Sequence, residues 1–314
     1  MKKLLRIGAF ASIMAALVFA GCGNAEEDES SVTSNSGDGK FSDWNVNDIV
    51  SFGHWPQTIK AADVTITSET KTAGMFTYYK GSDGEWYAKT AENAYESGYS
   101  YSDGTTVGLG GTSEKYFKVE PVKWRVLTDN YSGKKLLFAE SILVNKRYDA
   151  SSNSYEDSEI RSWLNEEFLS TAFSADEQAD IAVTTVDNSE RSTNPDANAT
   201  QFSHGENEYA CDPTKDKIFL LSEQEVTTAA YGFDVDVYKI YDPENARIRV
   251  TTDFSRASGV YQRTESDYSG GWWLRSPSAG VADWACCVDH DGHADVNDYV
   301  YHGRTGVVPA LCLK

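Results

Sequence analysis

The chain has 314 residues, 28 Lys and Arg against 48 Asp and Glu for a formal charge of −20, and 40 % apolar residues. That length fits one large domain or two ordinary ones, and the apolar share excludes disorder throughout. The acidity excludes a nucleic-acid binder of the usual kind, which needs a cationic face to neutralise phosphates.

Lys2, Lys3 and Arg6 precede an uncharged apolar run over residues 7–20, too short to span a bilayer comfortably. Residues 1–21 therefore read as a secretory signal. Its end, Phe19-Ala20-Gly21-Cys22, resembles the lipobox of bacterial lipoproteins, in which a Cys is acylated and becomes the mature N-terminus. Cys22 is the expected lipidation site, and two or three acyl chains there would anchor the protein stably to a membrane. Residues 22–40 are acidic and hold too few apolar side chains to fold. They read as a flexible tether with a reach of about 25 Å.

From residue 41 onward the pattern is that of one domain. Short β-like runs occur at Met75–Tyr79 and Trp86-Tyr87, between turn signals. Gly108–Ser113 lacks the Gly-Lys-Ser/Thr of a phosphate loop and reads as a surface hairpin tip. Val122–Leu127 and Lys135–Ala139 predict two strands joined by the turn Asp129–Gly133. The period then changes: Ile160, Trp163, Leu164 and Phe168 predict a helix beginning near Ser158. Ser174 with Glu177, and Ser222 with Glu225, have capping-box spacing and predict further helix starts. Residues 185–213 read as a long polar loop, Lys217–Leu221 as a strand, and the part beyond Gly270 as strands and turns. Strands, then helices, then strands predict a single α+β domain over 41–314 with a mostly antiparallel sheet.

Several blocks in consistent order, from about residue 46 to the C-terminus, resemble the extracellular bacterial family DUF6273. They are Phe52–Gln57, Val122–Leu127, Ile160–Asn165, Asp216–Ser222, Trp272–Pro277 and Gly306–Leu311. Val308 departs from the pattern, which usually has Arg there. The family looks like a branch of the C-type lectin fold, of the kind also seen in formylglycine-generating enzymes. The resemblance implies mixed or antiparallel sheets with two or three short helices and long loops. In particular the chain is similar to the treponemal variable proteins of diversity-generating retroelements. Those are lipid-anchored display proteins whose C-terminal segment is rewritten by adenine-directed mutagenesis, so the resemblance implies a scaffold with a variable binding face.

Residues 283–304 hold three of the chain's five His but no Lys, Glu, Gln or Met. Those four types have codons ending in a purine. Asn codons randomised at their adenines give every residue found in the segment except Trp284. Ala285, Val288, Gly292, Val296 and Val300 resemble framework. Asp283, Trp284, Cys286, Asp289, His290, Asp291, His293, Asp295, Asn297, Asp298, Tyr299, Tyr301, His302 and Arg304 are the candidate ligand-binding residues. Two-residue alternation would turn parts of this set to one face, where its mixture of aromatic and small polar groups is similar to a paratope.

An ordinary solvated Asp-rich hairpin is the plain alternative. A metal site drawn from Cys286, His290, His293, Asp289, Asp291 and Asp295 is a second alternative. It lacks zinc spacing, and Gly292 comes too early for an EF-hand loop. A vicinal Cys286-Cys287 ring would be strained, and a Cys211–Cys312 bridge is an open possibility that ranks below free thiols. Trp272 or Trp273 is expected in the core, with Arg275 holding a buried carboxylate or carbonyls. His54 and His204 have no partner pattern for nucleophilic catalysis.

The expected function is therefore a non-enzymatic, surface-displayed, lipid-anchored binder of an extracellular protein or glycan. It is expected to be a monomer without cofactor, metal or nucleic-acid partner, placed on the bacterial, outer, membrane. The alternatives are a binder of fixed specificity and an enzyme of the formylglycine-generating type.

Overall fold

A computed structural model describes residues 40–194, 206–240, 242–263, 268–294 and 296–314, apart from the side chain of Val296. Cys22, Asp295, His204, the signal and nearly all of the tether lie outside the described residues. The first strands are β1 (Ile49–Ile59), β2 (Ile66–Ala73), β3 (Phe76–Gly81), β4 (Trp86–Ala91), β5 (Glu114–Tyr131) and β6 (Lys134–Ala139). Short strands β7 (Ser141–Ile142) and β8 (Val144–Asn145) precede a helical stretch of α1 (Glu159–Trp163), a π-turn over Leu164–Phe168, α2 (Leu169–Ala172) and α3 (Ala175–Asp180). Then come β9 (Thr184–Val186), β10 (Thr214–Asp216), β11 (Ile218–Phe219), β12 (Arg249–Thr251), α4 (Asp253–Ala257) and β13 (Ser269–Gly270). The chain closes with β14 (Trp272–Pro277), β15 (Trp284–Val288), β16 (Val296–Tyr299), β17 (Gly306–Val307) and β18 (Ala310–Leu313). This is a sheet-rich α+β domain with a few short helices.

The largest sheet has eight strands, ordered β11-β18-β6-β5-β4-β3-β2, with β1 also on β5. One edge of β5 carries β4 along its first half and β6 along its second. Its pairing with β1 spans residues that meet both, so β1 covers the opposite edge. The register of β1 breaks between Ser51 and His54, where Gly53 has φ +67°. A Cβ there would lie 2.5 Å from the Phe173 ring, so the bulge needs glycine. The bulge lets Phe52 O accept from Trp124 Nε1 at 2.7 Å, while buried Trp55 donates to Leu143 O at 3.1 Å.

Helix starts follow the expected local chemistry. Ser158 Oγ accepts from Arg161 N, and Ile160, Trp163, Leu164 and Phe168 are all buried. Ser174 and Glu177 form a reciprocal capping box. Ser222 and Glu225 exchange the same two bonds, ahead of a single 3-10 turn over Glu225–Thr227. Gly108–Ser113 is a turn-rich stretch leading into β5, with Gly110 and Gly111 at positive φ.

The second sheet, ordered β16-β15-β14-β17-β8, carries the C-terminal candidate segment. Trp272 and Trp273 on β14 are fully buried. Beside them Arg275 forms a bidentate pair with Glu225, at 2.5 and 3.0 Å, and donates to Leu220 O and Asp187 O. Val308, without the usual Arg, is fully buried. None of Cys211, Cys286, Cys287 and Cys312 is in a disulfide. No helix of the described residues is long and apolar enough to cross a membrane.

Candidate functional site

Residues 283–294 and 296–304 form the outer ribbon of the second sheet. β15 and β16 pair antiparallel, with Trp284 opposite Tyr299, Ala285 opposite Asp298 and Cys286 opposite Asn297. Ala285, Val288 and Val300 are fully buried, as a framework requires. The turn between the strands is closed by bonds from Asp289 N to His293 O and from Gly292 N to Asp289 O. Gly292 has φ +89°, and a Cβ on it would meet Asn245 Nδ2 at 2.2 Å.

The pleat divides the candidate set between two sides of the ribbon. Trp284, Cys286, Asn297 and Tyr299 share one, and Asp298 lies on the other, opposite Ala285. The first side ends in an aromatic cluster in which the Tyr299 ring lies 5.3 Å from Trp284, 5.2 Å from Tyr301 and 5.0 Å from His302. Tyr301, 47 % exposed, is the open tip of that cluster. Cys286 is only 4 % exposed, with its Sγ 3.6 Å from Glu223 Oε2.

Asp298, 7 % exposed, organises the other side. Its carboxylate accepts from Arg304 Nε and Nη2 at 2.9 and 2.8 Å, from Thr305 Oγ1 at 2.8 Å and from Tyr299 N at 2.9 Å. His302 Nδ1 lies 2.8 Å from it. Burial opposes ionisation of Asp298, but the hydrogen bonds from Arg304, His302 and Thr305 outweigh it and hold the pKa below the usual value. Asp289 behaves similarly. Burial raises its pKa, but His290, bonded to it through both the backbone N–H and Nδ1, brings it below the usual value. The same side-chain hydrogen bond raises the pKa of His290. Asp291 is buried and accepts from His293 N, and the His293 ring stacks 4.6 Å from Tyr238. The Asp283 carbonyl accepts from Val300 N.

Two clefts adjoin the ribbon. One, of ≈ 230 Å³, is lined by Tyr261, Asp289, His290, Asn297, Asp298 and Arg304 among others. The other, of ≈ 270 Å³, is lined in part by Asn207, Glu223, Cys286 and Asn297. Asn297 borders both, and its buried Oδ1 has no hydrogen-bond partner. Such an amide can donate to and accept from a ligand seated in either cleft. Among the described residues no group of three or more His, Cys, Asp or Glu is placed to hold a metal ion.

Two aromatic residues absent from the sequence reading complete the first cleft's surroundings. Tyr261 stands edge-on to His290 at 5.8 Å and to Tyr95 at 5.6 Å, and Tyr95 Oη accepts from Arg304 Nη1 at 3.3 Å. Tyr95 lies in a polar, turn-rich stretch almost 200 residues earlier. Only its being a large aromatic in such a stretch, 43 % exposed in the fold, could have marked it.

No curated protein and no solved structure matches the chain. A family profile does match, over residues 132–314, beginning in the turn between β5 and β6. Blocks Phe52–Gln57 and Val122–Leu127 thus lie ahead of the matched segment, which contains all of β14–β18 and so the whole candidate ribbon. By that match the chain belongs to the family described as a domain of unknown function, DUF6273.

Proposed function

We propose that this is a surface-displayed, lipid-anchored ligand-binding protein of C-type lectin fold whose segment 283–304 is diversified by a retroelement. The observation that carries the reading is the division of labour within that segment. Ala285, Val288, Gly292 and Val300 are buried or sterically fixed. Trp284, Asp289, His290, Asn297, Tyr299, Tyr301 and Arg304 border clefts or reach solvent between them. A face that combines rigid aromatics with small adaptable polar groups can change its specificity without changing its scaffold. The absence of Lys, Glu, Gln and Met from the segment is what adenine-directed rewriting of Asn codons would leave. The ligand is an extracellular protein or glycan bound by a monomer held at the outer membrane through Cys22. A non-enzymatic role is supported by the state of the thiols. Burial pushes Cys287 well up and Cys312 up to about 12, which leaves little nucleophilic thiolate at neutral pH.

The test is nucleotide-level. The 3′ end of the gene, read from many cells, should vary at the codons of Asp289, His290, Asn297, Tyr299 and Tyr301 and have a near-copy repeat and a reverse transcriptase nearby. Invariant codons without a repeat would overturn the diversification and leave a binder of fixed specificity.

A further inference from the structure

A third cleft, ≈ 390 Å³, has no residue of 283–304 in its lining, although Asn245 in its wall donates to Gly292 O behind it. Its volume falls in the range of small-molecule sites, about 300–1,000 Å³. Arg249, on β12, lines it and is only 5 % exposed. The guanidinium lies 4.7 Å over the Phe138 ring, Nε donates to Ala139 O, and Nη1 donates to Ala246 O and Ile248 O. Nη2 is buried and has no acceptor. A buried donor left in that state costs stability that a bound acceptor would return.

The charge is as incomplete as the hydrogen bonding. The carboxylate that acts on Arg249 is Glu140, and both of its oxygens are already held by Arg125, at 3.0 and 2.9 Å. Two guanidinium groups thus share one anion. Burial depresses the pKa of Arg249 to about 10, with Glu140 offsetting only part of the effect. Glu244 also borders the cleft but is exposed, so solvent screens it. The rest of the wall includes Leu127, Phe233 and Ile248, which suit an apolar body.

The geometry points to a binding site for a carboxylate joined to an apolar or aromatic body, the carboxylate entering between Arg125 and Arg249 and giving Nη2 its acceptor. Planar, bidentate recognition of a carboxylate is what a guanidinium does best. The carboxylate can belong to a free acid or to the C-terminus of a peptide. The inference is independent of the display reading, because the two sites share no residue.

The experiment is calorimetric titration of the full chain with phenylacetate and with its uncharged isostere phenylacetamide. A second pair is the tripeptide Ala-Ala-Phe with a free C-terminus and with a C-terminal amide. In at least one pair the acid should bind about tenfold or more tighter than the amide, and which pair does so identifies the source. Arg249→Met should remove that preference. Glu140→Gln, a change at a partly exposed pair, should strengthen acid binding severalfold by removing the competing anion. Equal binding of acid and amide in both pairs, or no binding, would assign Nη2 to an ordered water and overturn the proposal on the wild-type chain alone.

Discussion

Asp298→Asn tests whether the ribbon is held from within. The change keeps shape and removes charge. In the wild type two carboxylate oxygens receive both Arg304 contacts, Thr305 and Tyr299 N, with His302 beside them. The amide keeps one acceptor and turns an NH₂ toward Arg304 or Thr305. A hydrogen bond to a charged group contributes about 1.5–3 kcal/mol. Arg304 and His302 are 40 % and 34 % exposed at the side chain and would regain water. The net loss should be about 2–4 kcal/mol, a fall in Tm of about 3–7 °C for a domain of this size. Urea denaturation at pH 7 and again at low pH reads it. The folded pKa of Asp298 is below the unfolded 3.8, so its contribution is complete above 3.8 and disappears as pH falls through the folded value. Wild type and variant should therefore differ at pH 7 and converge in acid. A variant within about 0.5 kcal/mol of wild type at pH 7, or a gap that persists when the carboxyl is protonated, would refute the reasoning. The same argument predicts that Asp298 stays constant across a cell population while Asn297 and Tyr299 beside it vary.

Gly292→Ala should destabilise by about 2–3 kcal/mol, since the new methyl meets Asn245 and the backbone is left-handed there; an unchanged denaturation midpoint would contradict the close approach. Asp289→Asn should lower the His290 pKa toward 6.5, because the partner that raises it is lost. In the wild type, stability from protonated His290 is present below 6.5 and fades as pH rises through the elevated value, and a ring-proton NMR titration follows both. Cys22→Ala should move the protein from the membrane to the soluble fraction, and continued membrane association would defeat the lipid anchor.

What could be read in the sequence was what is local. The caps at Ser174 and Ser222 were legible because their hydrogen bonds close within three residues, and the helix start near Ser158 from its apolar period. The hairpin of β5 and β6 was legible from its turn, and Arg275 from a block that resembles the family's framework. The first half of β5 was not, because Glu114–Pro121 mixes Lys and Glu with its apolar residues and is strand only through β1 and β4 on its two edges. Helix α4 was missed for a similar reason. Its five residues are too few for a period, and Asp253 is fixed by distant groups, accepting from Ile59 N, Ser102 N and Ser102 Oγ. In the candidate ribbon, Ala285, Val288 and Val300 were named as framework from the resemblance, and they are buried. Sequence alternation could not show that Asp298 faces away from Asn297 and Tyr299 to clamp Arg304, or that Tyr95 and Tyr261 would stand beside the cleft.

The position of β18 has a consequence for inheritance. That strand lies between β11 and β6 inside the eight-stranded sheet, with all four of its residues buried, and it follows the ribbon in the chain. A frameshift or stop codon arising anywhere in 283–304 would remove both β17 and β18, opening the sheet and leaving the facing edges of β6 and β11 unpaired. A chain truncated in that way would be lost at folding. If the segment is rewritten as proposed, this order of elements along the chain would keep copies with a broken reading frame from being displayed.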